Sequence, residues 1–350
     1  MKIKFIVLLA ISCALMSCEN PMRFETKVHE DGSLDKTILF EEIDSAGIRK
    51  NILGINAERG WSVTSEKLPV KADQGKSAGD RFKVQFQKKF LSATELNQEL
   101  ETSADSLFQI HSVFEKKFRW FFTYLRYSET FRPLNRFKLV SPNDFFTRED
   151  DAFLDRLPAE GKKISRADSL FLQLLNEKIS DRFATMGIFK EQYQILEEVV
   201  RKNGVDKKWL DTLYKNQEFI FNQVDKMKGD ARFAEKMADT LKIPLLQPRA
   251  ANDFKQLSAN FNRRVNFMSF ARDGKYLNVI DMPWTVVNSN ADSVAANQLY
   301  WRPLVTKFVY RDYEMFAESR KLNIWACILS LGIIGATLYL LFKRRGPGAF

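Results

Sequence analysis

Three cysteines and two histidines are all that this chain of 350 residues contains. Cys13 and Cys18 fall in the first eighteen residues and Cys327 in an apolar stretch near the end, so everything from Glu19 to Ala326 is free of cysteine. That excludes disulfide bonds and thiolate chemistry from the long middle of the chain, which must hold together by its core alone. His29 and His111 have no His or Cys partner at metal-ligand spacing, so neither a metal nor any other cofactor is expected. Gly-x-Ser-x-Gly, a P-loop and Gly-x-Gly-x-x-Gly are all missing. Ser33-Leu-Asp-Lys36 repeats the Ser-x-x-Lys string of penicillin-interacting enzymes, but it sits in a hairpin pattern with no Lys-Thr-Gly downstream. Glu149-Asp150-Asp151 is expected to be a solvated helix start that complements the helix dipole. No catalytic residue is therefore expected.

A strong charge excess is missing too. The formal charge is +10, but five of the 54 basic residues lie outside 19–321, whereas all 44 acidic ones lie inside it. The middle carries 49 basic against 44 acidic residues, a net +5. So mild a balance speaks against a nucleic-acid partner.

What the chain does have is one long uncharged run. Leu322–Phe342 holds 21 consecutive residues without Asp, Glu, Lys, Arg or Pro, the length a helix needs to cross a core of ~30 Å. Trp325 and Tyr339 stand near its ends, and Lys343, Arg344 and Arg345 follow at once. Gly332-x-x-x-Ala336 and Ala326-x-x-x-Ser330 place small residues at helix-pairing spacing, and the oligomeric state stays open. At the other end Lys2 and Lys4 precede the apolar Phe5–Met16, a signal-peptide pattern. It closes on Leu15-Met16-Ser17-Cys18, which resembles a bacterial lipobox. Lipidation is expected at Cys18. Together the ends predict a lipid anchor plus one transmembrane helix in the bacterial inner membrane, with the ectodomain periplasmic and the C-terminus cytoplasmic.

Between the anchors the hydrophobic period changes twice. Phe24, Thr26 and Val28, then Leu34, Ile38 and Phe40, alternate on either side of Asp31-Gly32, which predicts a hairpin with a type I′ turn. Trp61–Pro69 and Arg81–Phe90 read as strands, and Ser92-Ala-Thr-Glu95 as a capping box opening a helix. Val113–Phe131 is apolar on both parities, which predicts one central strand covered on both faces. From about Asn143 to Asn260 the spacing becomes three and four. The stripes include Phe171, Leu174, Leu175, Ile179 and Phe183; Phe189, Tyr193, Leu196 and Val200; and Trp209, Leu213, Ile220, Val224 and Met227, this last closed by Gly229. Val265–Ala271 and Lys275–Asp281 then flank Asp273-Gly274 as a second hairpin, and Val294–Trp301 reads as a last strand. Val309, Tyr313 and Phe316 predict a juxtamembrane helix continuous with the membrane span.

The chain therefore divides into a signal peptide (1–17), a β-rich part (18–143), a separable helical insertion (144–260), a second β-rich part (261–303), a juxtamembrane helix (304–321), the transmembrane helix (322–342) and a basic tail (343–350). The fold class is α+β. An antiparallel sheet is built from N-terminal and C-terminal hairpins, with a helical-bundle insertion and one C-terminal transmembrane helix. The lipobox, the hairpin over Asp31-Gly32-Ser33, Pro283 followed by Asn290 and Trp301, and the closing helix with its basic tail together resemble the LppM-type bacterial lipoprotein domain. The resemblance spans Cys18–Phe131 and Val265–Arg345 and implies a membrane-tethered α+β ectodomain in contact with lipid or envelope. It brings no catalytic residues.

Three functions compete. One is a non-enzymatic envelope protein that binds a partner protein or organises the surface. A second is a lipid-binding module with an apolar cavity between sheet and helices, for which Phe118, Trp120, Phe122 and Tyr124 are the candidate lining. The third is an enzyme with no recognisable motif. Aromatics bury so much area that core packing is the ordinary reading of these four.

Overall fold

The computed structural model describes residues 20–44, 51–69, 80–103, 106–204, 206–227 and 230–344. The expected signal peptide, Cys18, Gly229 and the end of the basic tail lie outside them. The first hairpin forms where Asp31-Gly32 places it, from β1 (Asn20–Val28) and β2 (Leu34–Asp44), with Val28 opposite Leu34. Its turn is wider than a type I′ turn and runs from His29 to Ser33. Gly32 takes φ 93°, the His29 N–H donates to the Ser33 carbonyl, and Asp31 accepts from both the N–H and the hydroxyl of Ser33. β3 (Ser62–Lys67) and β4 (Arg81–Phe90) extend the sheet. Ser92 caps α1 (Ala93–Leu100) by accepting from the Glu95 N–H, and α1 buries Leu96 and Leu100.

Val113–Phe131 is not a single strand. It folds back at Trp120-Phe121 into β5 (Ile110–Arg119) and β6 (Phe122–Phe131). Two-residue hairpin turns favour Gly and Asn-Gly, and neither stands there, so the break carries no sequence signal. Thr123, Leu125, Tyr127, Glu129 and Phe131 face inward on β6, whereas Phe122 and Tyr124 are half-buried on the other face.

The helical region comprises α2 (Arg148–Arg156), α3 (Arg166–Glu177), a π-helical segment at Lys178–Ala184, α4 (Thr185–Lys202), α5 (Lys208–Lys215), α6 (Gln217–Lys226), α7 (Phe233–Thr240) and α8 (Arg249–Arg272). The stripes bury Leu175, Ile179, Phe183, Leu196, Val200, Leu213, Ile220 and Val224, but Leu174 faces out. α8 crosses the expected boundary at 260, so Val265–Ala271 is helix and not a hairpin arm. Phe267 and Ala271, one turn apart, share a face and are buried in the core of the sheets.

β7 (Gly274–Asp281) follows, then β8 (Thr285–Ser289), β9 (Ser293–Ala295) and β10 (Gln298–Trp301). Val294–Trp301 is thus two short strands, turning through Ala296 at φ 54°. The expected juxtamembrane helix is instead a 3-10 turn at Val305–Phe308 and the strand β11 (Tyr313–Leu322). Period two wins there because Met315, Ala317 and Ser319, all fully buried, face inward while β6 and β8 supply ladder partners on both sides. α9 (Ile324–Arg344) follows after Asn323.

The class is α+β. Among the described residues the strands form two sheets, a seven-stranded one ordered β3-β4-β2-β1-β7-β10-β9 and a four-stranded one ordered β5-β6-β11-β8. The first is mixed, because its N- and C-terminal parts are joined by the parallel pair β1–β7. Both sheets, α1 and the end of α8 share one core centred on Phe24, Phe108, Phe131, Tyr276 and Phe308, whose rings stack or meet edge-on at 5.0–6.4 Å. The helical region has two clusters of its own, and Tyr310, Leu304 and Val309 from the β-rich part pack into one of them. Glu149-Asp150-Asp151 is part of that junction and is not a wholly solvated run. Buried Asp150 closes a capping box with Thr147 and pairs with Lys178 at 2.6 Å, while Asp151 accepts from the Tyr310 hydroxyl. α9 is long and apolar enough to cross a membrane, and only 6% of its most apolar stretch is covered by the rest of the chain.

Candidate functional site

An apolar cavity of about 400 Å³ lies where the sheets meet the helices. Four segments far apart in sequence wall it. Leu134, Asn135 and Phe137 come from the link after β6, and Ile179, Ser180, Phe183 and Ala184 from the π-helical segment. Ile188 lies on α4; Val265, Met268, Ser269 and Arg272 on α8; Asp273 follows α8, and Val309 precedes β11. Arg272 and Asp273 are its ionisable groups, both exposed at the rim. Pockets of 300–1,000 Å³ with apolar walls and few polar groups are the usual form of small-molecule sites. π-helical segments, rare in themselves, recur at functional sites.

The walls are held by specific contacts. A Cβ at Gly187 would stand 2.5 Å from the Phe137 ring, so only glycine lets that ring rest on the α4 backbone. Glu191 accepts from the Lys138 N–H and pairs with Arg264, which in turn donates to the Arg136 carbonyl at 2.6 Å. The Arg136 guanidinium donates to the carbonyls of Leu107, Pro133 and Asn135 and lies over the Phe267 ring. Burial pushes it down to about 10.

A second polar cluster is sealed between the sheets. Lys36 on β2 donates to both oxygens of Glu129 on β6 at 2.7 and 2.9 Å, and both side chains are wholly buried. Thr26 and Tyr127 donate to the same carboxylate, as does the Asn278 amide at 3.3 Å. Burial pushes the Glu129 carboxyl up, but Lys36 and the bonds from Thr26 and Tyr127 outweigh it and hold it below the usual range. Burial also lowers the Lys36 ammonium against the pull of Glu129. This cluster fixes the facing of the two sheets. The signal was present in the sequence, since Lys36 shares the inward parity of Leu34 and Ile38.

The residues singled out as a cavity lining lie elsewhere. Phe118 and Trp120 are 58% and 44% exposed at the tip of the β5–β6 hairpin, and both rings meet Trp325 of α9 at 6.0 and 5.6 Å. Phe122 and Tyr124 are on the outer face of the four-stranded sheet, under the guanidinium groups of Arg320 and Arg119. None of the four borders the junction cavity. The histidines each meet a carboxylate, His29 with Asp35 at 2.8 Å and His111 with Glu101 at 2.6 Å. Among the described residues no group of three or more His, Cys, Asp or Glu could hold a metal ion.

No protein-family model matches the chain, and no curated protein does. Among solved structures it is similar to the folded domain of LppM from Mycobacterium tuberculosis, determined by NMR, with 8% identity and a TM-score of 0.28 over 88% of this chain and 95% of that one. That neighbour is of the kind the sequence resembles.

Proposed function

We propose that this chain is a membrane-tethered envelope protein that binds rather than catalyses, and that it holds an acyl chain or an apolar molecule of similar size in the sheet–helix cavity. The observation that carries the reading is the cavity itself. It has a ligand-sized volume and apolar walls, and its ionisable groups are confined to the rim. Tethering draws on Leu15-Met16-Ser17-Cys18 as the acylation site and on α9 as a span with Phe350 on the cytoplasmic side. A ligand with one polar end would keep that end at Arg272 and leave its apolar part against Phe137, Phe183 and Met268.

The test is native mass spectrometry of the full chain extracted from membranes, wild type beside Ala184→Phe, which fills the cavity. Lipid retained by wild type and lost from a folded Ala184→Phe is the expected result. Equal lipid on both proteins, or none on either, overturns the reading. A stoichiometric protein in place of lipid would favour partner binding.

A further inference from the structure

The β5–β6 hairpin reaches further along α9 than an ectodomain needs. Trp120 donates its indole N–H to the Ser330 hydroxyl at 2.8 Å, and Phe118 stacks on Trp325. Ser330 lies six residues beyond Ile324, about 9 Å along the helix at 1.5 Å per residue. The apolar helix Ile324–Lys343 has 20 residues, which is about 30 Å and no more than the hydrocarbon core it would cross. The helix has no spare length above the membrane, so whatever touches its second turn is at membrane depth.

The tip is also built for that environment. Backbone carbonyls in lipid must be satisfied within the protein, and one residue serves three of them. Asn323 donates through its amide to the carbonyls of Arg119 and Trp120 and through its N–H to that of Phe121, and its own side-chain oxygen accepts from Thr123. Three of the side chains the tip leaves uncovered are aromatic, Phe118, Trp120 and Phe121, the last 47% exposed, and Arg119 among them is exposed too, with its guanidinium over the Tyr124 ring. Trp and other amphipathic rings favour the headgroup boundary. Arg320 and Lys321, at the end of β11, stand where headgroups would meet them.

We propose that the β5–β6 tip is embedded in the outer leaflet of the bilayer that α9 crosses, so that hairpin and helix enter the membrane as one unit. The inference rests on the spanning reading of α9, and its test separates the two. A dansyl-bearing amino acid replaces Phe121 at the tip, Ile333 in the span or Tyr214 in the helical region, which is 72% exposed. Each full-length protein is reconstituted in phosphatidylcholine–phosphatidylglycerol vesicles containing lipids with a nitroxide near the headgroup or near the chain end. The expected result is blue-shifted emission at 121, quenched most by the shallow nitroxide, with 333 quenched most by the deep one and 214 unquenched. Quenching at 333 without quenching at 121 overturns the embedded tip and leaves the span standing. Absence of quenching at both overturns the span and the tip together.

Discussion

The two ends of β6 are made of similar residues and meet opposite fates. At Leu125–Phe131 the aromatic and aliphatic side chains are sealed between two sheets, with Phe131 among Phe24, Phe108 and Phe308. At the other end Trp120, with Phe118 across the turn, is exposed and meets Trp325 of a helix that is itself almost uncovered, while Phe122 lies half-buried on the outer face of the sheet. Ten residues of strand span about 33 Å, so one element connects the enclosed core and the junction cavity to the start of α9. An aromatic run therefore does not by itself say what buries it. At one end the protein does, and at the other we assign that role to lipid.

The enclosed end should fail hardest. Glu129→Gln removes the counter-charge of Lys36 and leaves an ammonium buried without compensation. Breaking one partner of such a pair costs about 3–5 kcal/mol, read as a fall in the midpoint of denaturant unfolding. Lys36→Met added to Glu129→Gln should recover most of the loss. If the double variant is no more stable than the single one, the ion pair is not what the cluster depends on. Phe131→Ala should cost about 3–5 kcal/mol through the cavity it leaves.

The cavity lies beside the enclosed end and should respond to overpacking. Gly187→Ala drives a methyl group into the Phe137 ring, and such overpacking costs about 1–3 kcal/mol. Retained lipid should fall with it, because Phe137 is a wall. Unchanged stability together with unchanged lipid would show that the ring shifts without consequence.

Acid should sharpen the contrast in the same order. The Glu129 carboxyl titrates lower in the folded chain than in the unfolded one, so its contribution is whole above about 4.5 and is lost as pH falls through the folded value. Thermal unfolding of wild type should therefore weaken more steeply below that pH than unfolding of the Lys36→Met, Glu129→Gln variant. Parallel profiles would contradict it.

The smallest effect belongs to the open end. Trp120→Ala loses one edge-on ring contact and one hydrogen bond at a partly exposed site, about 1 kcal/mol in detergent. A loss as large as that of Phe131→Ala would erase the distinction between the two ends and return the tip to the core.

Much of this was legible along the chain, and the misses share one cause. Asp31-Gly32 marked the first hairpin, Ser92 the start of α1, and alternating Phe24, Thr26 and Val28 an inward face, because each signal is local. The break at Trp120-Phe121 was silent because its turn uses no glycine. Val265–Ala271 reads as a strand and is helix, and Tyr313–Lys321 reads as a helix and is strand, each being short enough to satisfy both periods. Their neighbours decided. Phe267 and Ala271 need a helical face to reach the sheet core, and Met315 and Ala317 need a strand's alternation between β6 and β8. The candidate lining missed the cavity because Phe137, Phe183, Met268 and Val309 are brought together only by packing, and no spacing encodes that.

By itself the sequence determined the α+β class, the helical block between two β-rich parts, the cysteine-free middle and the long apolar helix near the C-terminus. All of these follow from composition and period, which act over a few turns of chain. Only the tertiary structure decided that β1 pairs in parallel with β7, that Lys36 finds Glu129, that four distant segments wall one cavity, and that Trp120 reaches Ser330. Each of these joins residues far apart in the chain, 93 positions for Lys36–Glu129 and 210 for Trp120–Ser330, and is set by which apolar faces can cover one another once the whole chain has closed.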